Sequence, residues 1–138
     1  MNAVQRDGRI SLKALASEAG LSLPATSERL KRLEEAGVID GYRGVVHPES
    51  VGYGVTAVIG MTTPEPAKAR LVEQLTEMPE VIECLHVTGQ DSYLLRVVTR
   101  DLTHLEDFVG SINPYGETRT SIVLSQPIRL RPVSDPAA

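Results

Sequence analysis

Apolar residues recur at helical spacing near the start of the chain. Residues 11–19 read SLKALASEA, and their apolar positions fall on one face of a helix. These positions are Leu12, Leu15, Ala16 and Ala19. Ser11 is a suitable N-cap because its hydroxyl can accept a hydrogen bond from an amide of the first turn, and Gly20 is a suitable end. The pattern predicts a helix over residues 11–19.

A second helix is predicted from its N-cap candidate Ser22 to about Glu35 or Ala36, with Gly37 ending it. Its two faces differ in composition. Thr26, Leu30 and Leu33 form one face, and Pro24, Ala25, Glu28, Lys31, Arg32 and Glu35 form the other. Two helices joined by a Gly-Leu-Ser turn are typical of a helix-turn-helix, whose second helix enters the major groove of DNA. Two helices packed for stability alone would show the same apolar spacing, so this alternative stays open.

Residues 38–46 are rich in β-branched side chains and interrupted by Gly41 and Gly44. They are predicted to form a small strand pair or a wing. The following segment, residues 47–54, contains Pro48 and is predicted to be a linker. The first domain is therefore expected to span residues 1–46.

From Val55 the pattern changes to short apolar runs separated by helical segments. Strands are predicted over 55–63, 81–89, 93–99 and 119–124, and an extended edge over 127–133. Helices are predicted over 66–78 and over 101–112, the second of them capped by Asp101. The order βαββαβ is that of a ferredoxin-like domain, expected here over residues 55–138. The fold class is α+β. Neither face of the first strand is cleanly polar, so we expect at least a homodimer, formed through the sheets.

Charge is unevenly distributed along the chain. The formal net charge is −4, yet residues 1–50 contain seven basic and seven acidic side chains, so the acidic excess lies in the second part. A neutral first part with a local basic cluster can still meet phosphate groups. Cys84 is the single cysteine, and no secretion signal or long apolar run is present, so a cytoplasmic protein without membrane contact is expected.

No motif for catalysis or cofactor binding is found. The chain lacks G-x-S-x-G, a Walker loop, H-E-x-x-H and G-x-G-x-x-G, so we expect no catalytic residues, no cofactor and no metal. Cys84 and His86 lie two positions apart on one predicted strand, but nothing completes a set of three or four ligands. They are interpreted as a buried thiol and an ordinary histidine.

Four segments resemble the Lrp/AsnC (feast/famine) transcription regulators in order and spacing. They are DGRISLKALASEAGLS, SERLKRLEEAGVIDGYRGVVHPESVGYG, VTGQDSYLLRVV and TRTSIVLS, within a region from Arg6 to Ser125. The resemblance implies an N-terminal DNA-binding domain for promoter or operator DNA. It also implies a C-terminal ferredoxin-like domain that dimerises, often builds octamers, and binds a small effector, commonly an amino acid, near a β-turn.

The resemblance also implies site residues. The DNA-binding residues would be Ser22, Pro24, Ala25, Ser27, Arg29, Lys31 and Arg32. The effector-binding residues would be Gly89, Gln90, Asp91, Ser92 and Tyr93 of the turn, with Thr118, Thr120 and Ser121 on the strand beside it. Lys31 and Arg32 are expected to contact phosphates, while the small residues approach base edges. Arg29 has an alternative role, tying the helix to its own domain.

Two departures from the family pattern affect these expectations. Many members carry an Asp directly before the Tyr, where this chain has Ser92 and places its acid at Asp91. Asp91 would then hold the effector's ammonium group, or it serves only the turn. The family's first helix is reduced here to about residues 2–6, which is too short to be expected to hold itself helical. We therefore expect residues 1–45 to be less stable than the ferredoxin-like part.

Two alternatives to a DNA-binding regulator follow from the same sequence. One is a small-molecule-binding assembly domain with weak or no DNA binding. The other is an enzyme on the ferredoxin-like domain, which the absence of a reactive constellation disfavours.

Overall fold

The computed structural model describes residues 1–137 and divides the chain into two compact units. The first unit contains Met1–Val45 together with the segment from Pro127 onward, and the second contains Val46–Gln126. The segment from Pro127 was expected to extend the sheet of the second domain. It contains no strand in the described residues and belongs to the first unit instead.

The first unit contains three helices: α1 (Asn2–Arg6), α2 (Leu12–Ala19) and α3 (Leu23–Glu35). The predicted caps are confirmed. The Ser11 hydroxyl accepts a hydrogen bond from the Ala14 amide at 3.1 Å, and the Ser22 hydroxyl accepts one from the Ala25 amide at 3.3 Å. Gly20 ends α2 in the left-handed region, with φ of 65°, where a residue without Cβ is favoured.

The first five-residue segment is helical, contrary to the expectation drawn from its length. Its side chains explain the difference. Val4 is buried, and the Arg6 guanidinium lies 3.2 Å from the Glu18 carboxylate of α2. Tertiary contacts therefore stabilise a helix that its own hydrogen bonds would not. The relative stability of the two parts of the chain stays a prediction.

The predicted strand pair or wing over residues 38–46 was wrong, since no residue of this segment is in a strand. The amides of Val38 and Ile39 both donate to the carbonyl oxygen of Leu33, at 2.9 and 3.1 Å. These amides continue the end of α3 and are not available to a strand partner. Further along, the Tyr42 hydroxyl contacts the Glu34 carboxylate at 2.7 Å, which also ties the segment to α3.

The second unit is a four-stranded antiparallel sheet with two helices. Its elements are β1 (Val55–Thr62), α4 (Lys68–Thr76), β2 (Val81–His86), β3 (Tyr93–Thr99), α5 (Leu102–Ile112) and β4 (Glu117–Ile122). The strand order is β2-β3-β1-β4, as expected for the ferredoxin-like arrangement. Short 3₁₀ turns lie at Pro48–Val51, Glu65–Ala67 and Asn113–Tyr115, the first of them inside the predicted linker.

The core of this unit lies between one face of the sheet and the two helices. Alternate residues of β1 and β3 pack on apolar side chains of α4 and α5, as the period of two in a strand requires. The cluster consists of Ala57, Ile59, Met61, Tyr93, Leu95, Val97, Leu71, Leu75, Leu105, Phe108 and Ile112. The intervening residues of the strands point to the opposite face, which we call the open face.

A histidine connects α5 to the start of β2. The His104 Nδ1 accepts a hydrogen bond from the Arg100 amide at 3.1 Å, so Nε2 carries the proton that faces the Glu80 carboxylate at 2.9 Å. Burial alone would raise the pKa of Glu80, but the hydrogen bond and charge of His104, with Arg100 nearby, outweigh it and lower that pKa. The pair therefore favours the ionised carboxylate.

None of the helices in residues 1–137 has the length and apolar character needed to cross a membrane.

Candidate functional site

Helix α3 presents all seven residues expected at the DNA interface on its exposed surface. Ser22 is its cap, and the other six lie within it. The exposed set is Ser22, Pro24, Ala25, Ser27, Arg29, Lys31 and Arg32. Thr26, between them in sequence, is buried, and its hydroxyl donates to the Ser22 carbonyl at 2.8 Å. One side of α3 is thus held in the unit while the opposite side is open to solvent.

Two of the three cations of α3 are paired with carboxylates of the same helix. The Lys31 ammonium lies 3.7 Å from the Glu35 carboxylate, and the Arg32 Nε lies 3.1 Å from the Glu28 carboxylate. Both are exposed pairs four residues apart, which typically contribute only about 0.3–0.5 kcal/mol. Phosphate groups can displace such pairs at little cost. Arg29 forms no ion pair with any other residue of the described range 1–137.

The turn between β2 and β3 is fastened to the end of β1. The Val87 amide donates to the Ser92 carbonyl at 3.0 Å, and the Ser92 amide donates to the Met61 carbonyl at 2.6 Å. Gly89 has φ of 109°, a conformation that L side chains rarely adopt. The turn residues 87–92 therefore have a defined conformation next to β1.

Ser92 uses its hydroxyl as both acceptor and donor. It accepts from the Thr63 amide at 3.0 Å and donates to the Thr63 carbonyl at 3.4 Å. An ionised Asp at this place could accept the first bond but could not donate the second. Next to these two hydrogen bonds, the Thr63 hydroxyl is buried without a hydrogen-bond partner in the described residues.

Asp91 is paired within the chain. Its carboxylate forms an ion pair with the Arg119 guanidinium of β4, and Arg119 also donates to the Thr62 hydroxyl at 2.9 Å. The Thr62 hydroxyl in turn donates to the Gln90 carbonyl at 3.3 Å, which continues the connection back to the turn. The Asp91 and Arg119 side chains are 26% and 38% exposed. The Asp91 carboxylate therefore already has a cationic partner within the chain.

Gly60 makes room for this ion pair. A Cβ at Gly60 would lie 2.8 Å from the carboxyl atoms of Asp91, which is closer than van der Waals contact. Gly60 is also the β1 residue opposite Arg119 in the antiparallel register. We call the set Gly60, Thr62, Asp91 and Arg119 the ion-pair cluster. Sequence reasoning missed Arg119, although the TRTS segment was singled out and the register of β4 on β1 would have placed it.

The structure does not bring the three predicted β4 residues to one face. Thr118 and Thr120 lie opposite Met61 and Ile59, which belong to the helix-covered face, whereas Ser121 lies opposite Val58 on the open face. The Thr118 hydroxyl donates to the Asn113 side chain at 2.9 Å. Only Ser121 of the three shares a face with Arg119.

Tyr93 is part of the hydrophobic core rather than a free turn residue. It is buried, and its ring lies beside that of His86, with centroids 5.1 Å apart. Cys84 is exposed, so the expectation of a buried thiol was wrong, because β2 is an edge strand that the helices do not cover. Partial desolvation still raises the pKa of the Cys84 thiol. Residues 1–137 contain no group of three or more potential metal ligands.

Comparison with known proteins finds a matching family model for each part of the chain. A winged helix-turn-helix DNA-binding model matches residues 1–40, and the Lrp/AsnC ligand binding domain model matches residues 56–133. The chain belongs to the Lrp/AsnC family of transcriptional regulators. The family comprises regulators rather than enzymes, which confirms the expectation of no catalysis.

Relatives in the family are similar over most of their length. The transcriptional regulator LrpA of Mycobacterium tuberculosis is 36% identical over 86% of this chain and 81% of its own. The feast or famine regulatory protein of M. tuberculosis complexed with L-methionine is 35% identical, covers 95% of this chain and 91% of its own, and has a TM-score of 0.84. A regulator of Neisseria meningitidis in complex with L-methionine is 28% identical over 93% and 87%, with a TM-score of 0.87.

Proposed function

We propose that this Lrp/AsnC regulator binds operator DNA through α3 and that a small amino acid, acting at the turn 87–92, modulates the binding. The observation that carries the first part is the exposed side of α3. Its first turn holds small residues that allow close approach, and its later turns hold Lys31 and Arg32. In a helix-turn-helix the N-terminal residues of the second helix meet base edges. The cations further along then neutralise phosphates and set the position of the protein.

The experiment is selection from a pool of random-sequence DNA duplexes, followed by binding measurements on the selected duplex at several salt concentrations. We expect enrichment of a defined sequence and an affinity that falls linearly with salt on a log–log plot. A protein that enriches no sequence and shows no salt-dependent binding would contradict the proposal.

One observation favours the second candidate function, an assembly domain with weak or no DNA binding. The exposed side of α3 carries Glu28 and Glu35 beside Lys31 and Arg32, so these four side chains have no net charge. Under this candidate, the same selection enriches nothing, while an amino acid still raises the thermal stability of the protein.

The ion-pair cluster suggests how an amino acid would be recognised. An α-amino acid carries an ammonium and a carboxylate, and Asp91 and Arg119 are the matching opposite charges, already adjacent and partly exposed. A bound amino acid would replace the Asp91–Arg119 contact with two contacts of the same kind, each a charge-assisted hydrogen bond. The two relatives described with L-methionine make this amino acid the first to test.

Calorimetry tests the effector proposal with three matched ligands. L-methionine carries both charges, L-methioninamide lacks the carboxylate, and 4-(methylthio)butanoic acid lacks the ammonium. We expect measurable binding only for ligands with both charges, and loss of binding in Asp91→Asn. Equal binding of L-methionine to the parent and to Asp91→Asn would mean that Asp91 does not bind the effector and serves only the turn.

We further propose a homodimer, assembled into larger oligomers such as octamers, formed through the open faces of the sheets. Leu85 and Leu94 lie opposite each other on this face, and Leu85 is 47% exposed. Apolar side chains in such a position favour contact with a second copy. Light scattering at micromolar concentration is the test, and a monomer would contradict the proposal.

A further inference from the structure

Helix α1 needs support from outside itself. It has five residues, and a helix of that length does not hold itself together because nucleation costs more than its few hydrogen bonds return. Its ion pair to α2, between Arg6 and Glu18, has side chains that are more than half exposed, and exposed pairs contribute little. The burial of Val4 is a real anchor but a single one. Any further contact therefore affects how firmly the helix is held.

Such a contact comes from the other end of the chain. The Gln5 side-chain amide donates to the Val133 carbonyl at 3.0 Å, and the Val133 amide donates to the Gln5 side-chain oxygen at 2.9 Å. Donor and acceptor are thus exchanged in both directions, as between two paired strands. The two residues are 128 positions apart, yet both belong to the first compact unit.

We propose that residues 127–133 act as a C-terminal strap that holds α1 in place, and that DNA binding by α3 depends on this strap. Helix α1 packs against α2, and α2 packs against α3. Loosening α1 therefore removes support from the helix that orients α3. The first unit is then completed by both ends of the chain, and the DNA-binding half of the protein requires its C-terminal segment. The dependence of DNA binding rests on the proposed function of α3, whereas the fastening of α1 does not.

Single substitutions test the strap without changing the charge of the chain. Val133→Pro removes the backbone amide that donates to Gln5, and Gln5→Leu removes both side-chain partners at nearly constant size. Val133→Ala is the matched control, because it keeps the amide and loses only a side chain that is 73% exposed. Truncation before Pro127 is less informative, since it also removes arginines that DNA could attract.

Hydrogen exchange measures the fastening of α1 directly. The Asp7 amide, which donates to the Ala3 carbonyl at 3.0 Å, reports the last turn of α1. We expect Val133→Pro to accelerate its exchange about threefold to tenfold, the range that the loss of one ordinary hydrogen bond allows, and Gln5→Leu, which loses two such bonds, to accelerate it at least as much. The amides of β3 should be unchanged, which verifies that the second unit remains folded.

DNA affinity measures the functional consequence, with a duplex selected by the parent protein from the random-sequence pool. The proposal holds if both variants that break the Gln5–Val133 bond pair weaken DNA binding while Val133→Ala binds like the parent. It is overturned if Asp7 exchange is unchanged in both, or if exchange accelerates and DNA affinity stays the same. If the parent selects no duplex, the proposed role of α3 fails, and the exchange measurement alone decides whether the strap holds α1.

Discussion

Gly60→Ala is expected to break the ion-pair cluster while leaving overall stability nearly unchanged. The added methyl would lie 2.8 Å from the Asp91 carboxyl group, and the cheapest relief is a rotation of that carboxyl away from Arg119. The broken ion pair is partly exposed, so its loss costs about 0.5–1 kcal/mol. Against this, alanine in a strand interior is more favourable than glycine by about 0.5–1 kcal/mol. The two effects offset each other.

A double-mutant cycle in urea separates these two effects. In the parent background, Gly60→Ala should change the free energy of unfolding by less than about 0.5 kcal/mol. In the Asp91→Ala background the carboxyl is absent, so the same substitution should stabilise by about 0.5–1 kcal/mol. The difference between backgrounds is the coupling between the two positions.

The reasoning is refuted if Gly60→Ala has the same effect in both backgrounds, because the methyl would then not meet Asp91. Asp91→Asn serves as a control, since it keeps the bulk at position 91 but removes the charge, and so retains the steric conflict with the new methyl. If the proposed effector site is right, Gly60→Ala should also lose the response to L-methionine in calorimetry although the protein is as stable as the parent.

Three further outcomes are expected. Lys31→Ala and Arg32→Ala should each weaken DNA binding about equally across sequences. Each should also reduce the slope of log affinity against log salt concentration by about one unit for each phosphate that is no longer neutralised. Unchanged slopes would mean that α3 does not face phosphate. Burial would raise the pKa of the Glu80 carboxyl, but the hydrogen bond from His104 lowers it, so the ionised carboxylate should stabilise the protein above its ordinary pKa of 4.5 and cease to do so as the pH falls through the lowered pKa. The difference in free energy of unfolding between the parent and Glu80→Gln, measured in urea, should therefore be smaller at about pH 3 than at neutral pH. Equal differences at both pH values would argue against this role of Glu80. Leu85→Lys should shift the molecular mass in light scattering toward the monomer, because an ammonium on the open face opposes apolar contact between copies; an unchanged mass would place the interface elsewhere.

The sequence was sufficient for the helix caps and for the order of the elements in the second unit. Ser11, Ser22 and Asp101 cap helices as predicted, because a cap needs only a side chain and an amide three positions on. The order βαββαβ followed from the alternation of apolar residues and from turn residues, which are local signals too. The family itself was identified from short segments at the right separation, and the comparisons confirm it.

The candidate site could be located by sequence only as far as its segments. The turn around Gly89 and the exposed side of α3 lie where they were expected. The ion pair between Asp91 and Arg119 was not foreseen, because it depends on the register of β4 against β1 and on the space left by Gly60. The same register separates Thr118 and Thr120 from Ser121, since neighbouring strand residues point to opposite faces.

What the sequence alone determined, then, is the helix pair α2 and α3, the order βαββαβ, the capping of the helices and the family. The tertiary structure decided four features: the helicity of α1, the absence of strands in residues 38–46, the exposure of Cys84 on an edge strand and the position of the segment after Pro127. Three of these depend on how distant parts of the chain come together, whereas residues 38–46 bond back to α3 over only five to eight positions. The bond pair between Gln5 and Val133, 128 positions apart, is the extreme case. Local propensity does not predict such contacts, because the two partners meet only in the folded chain.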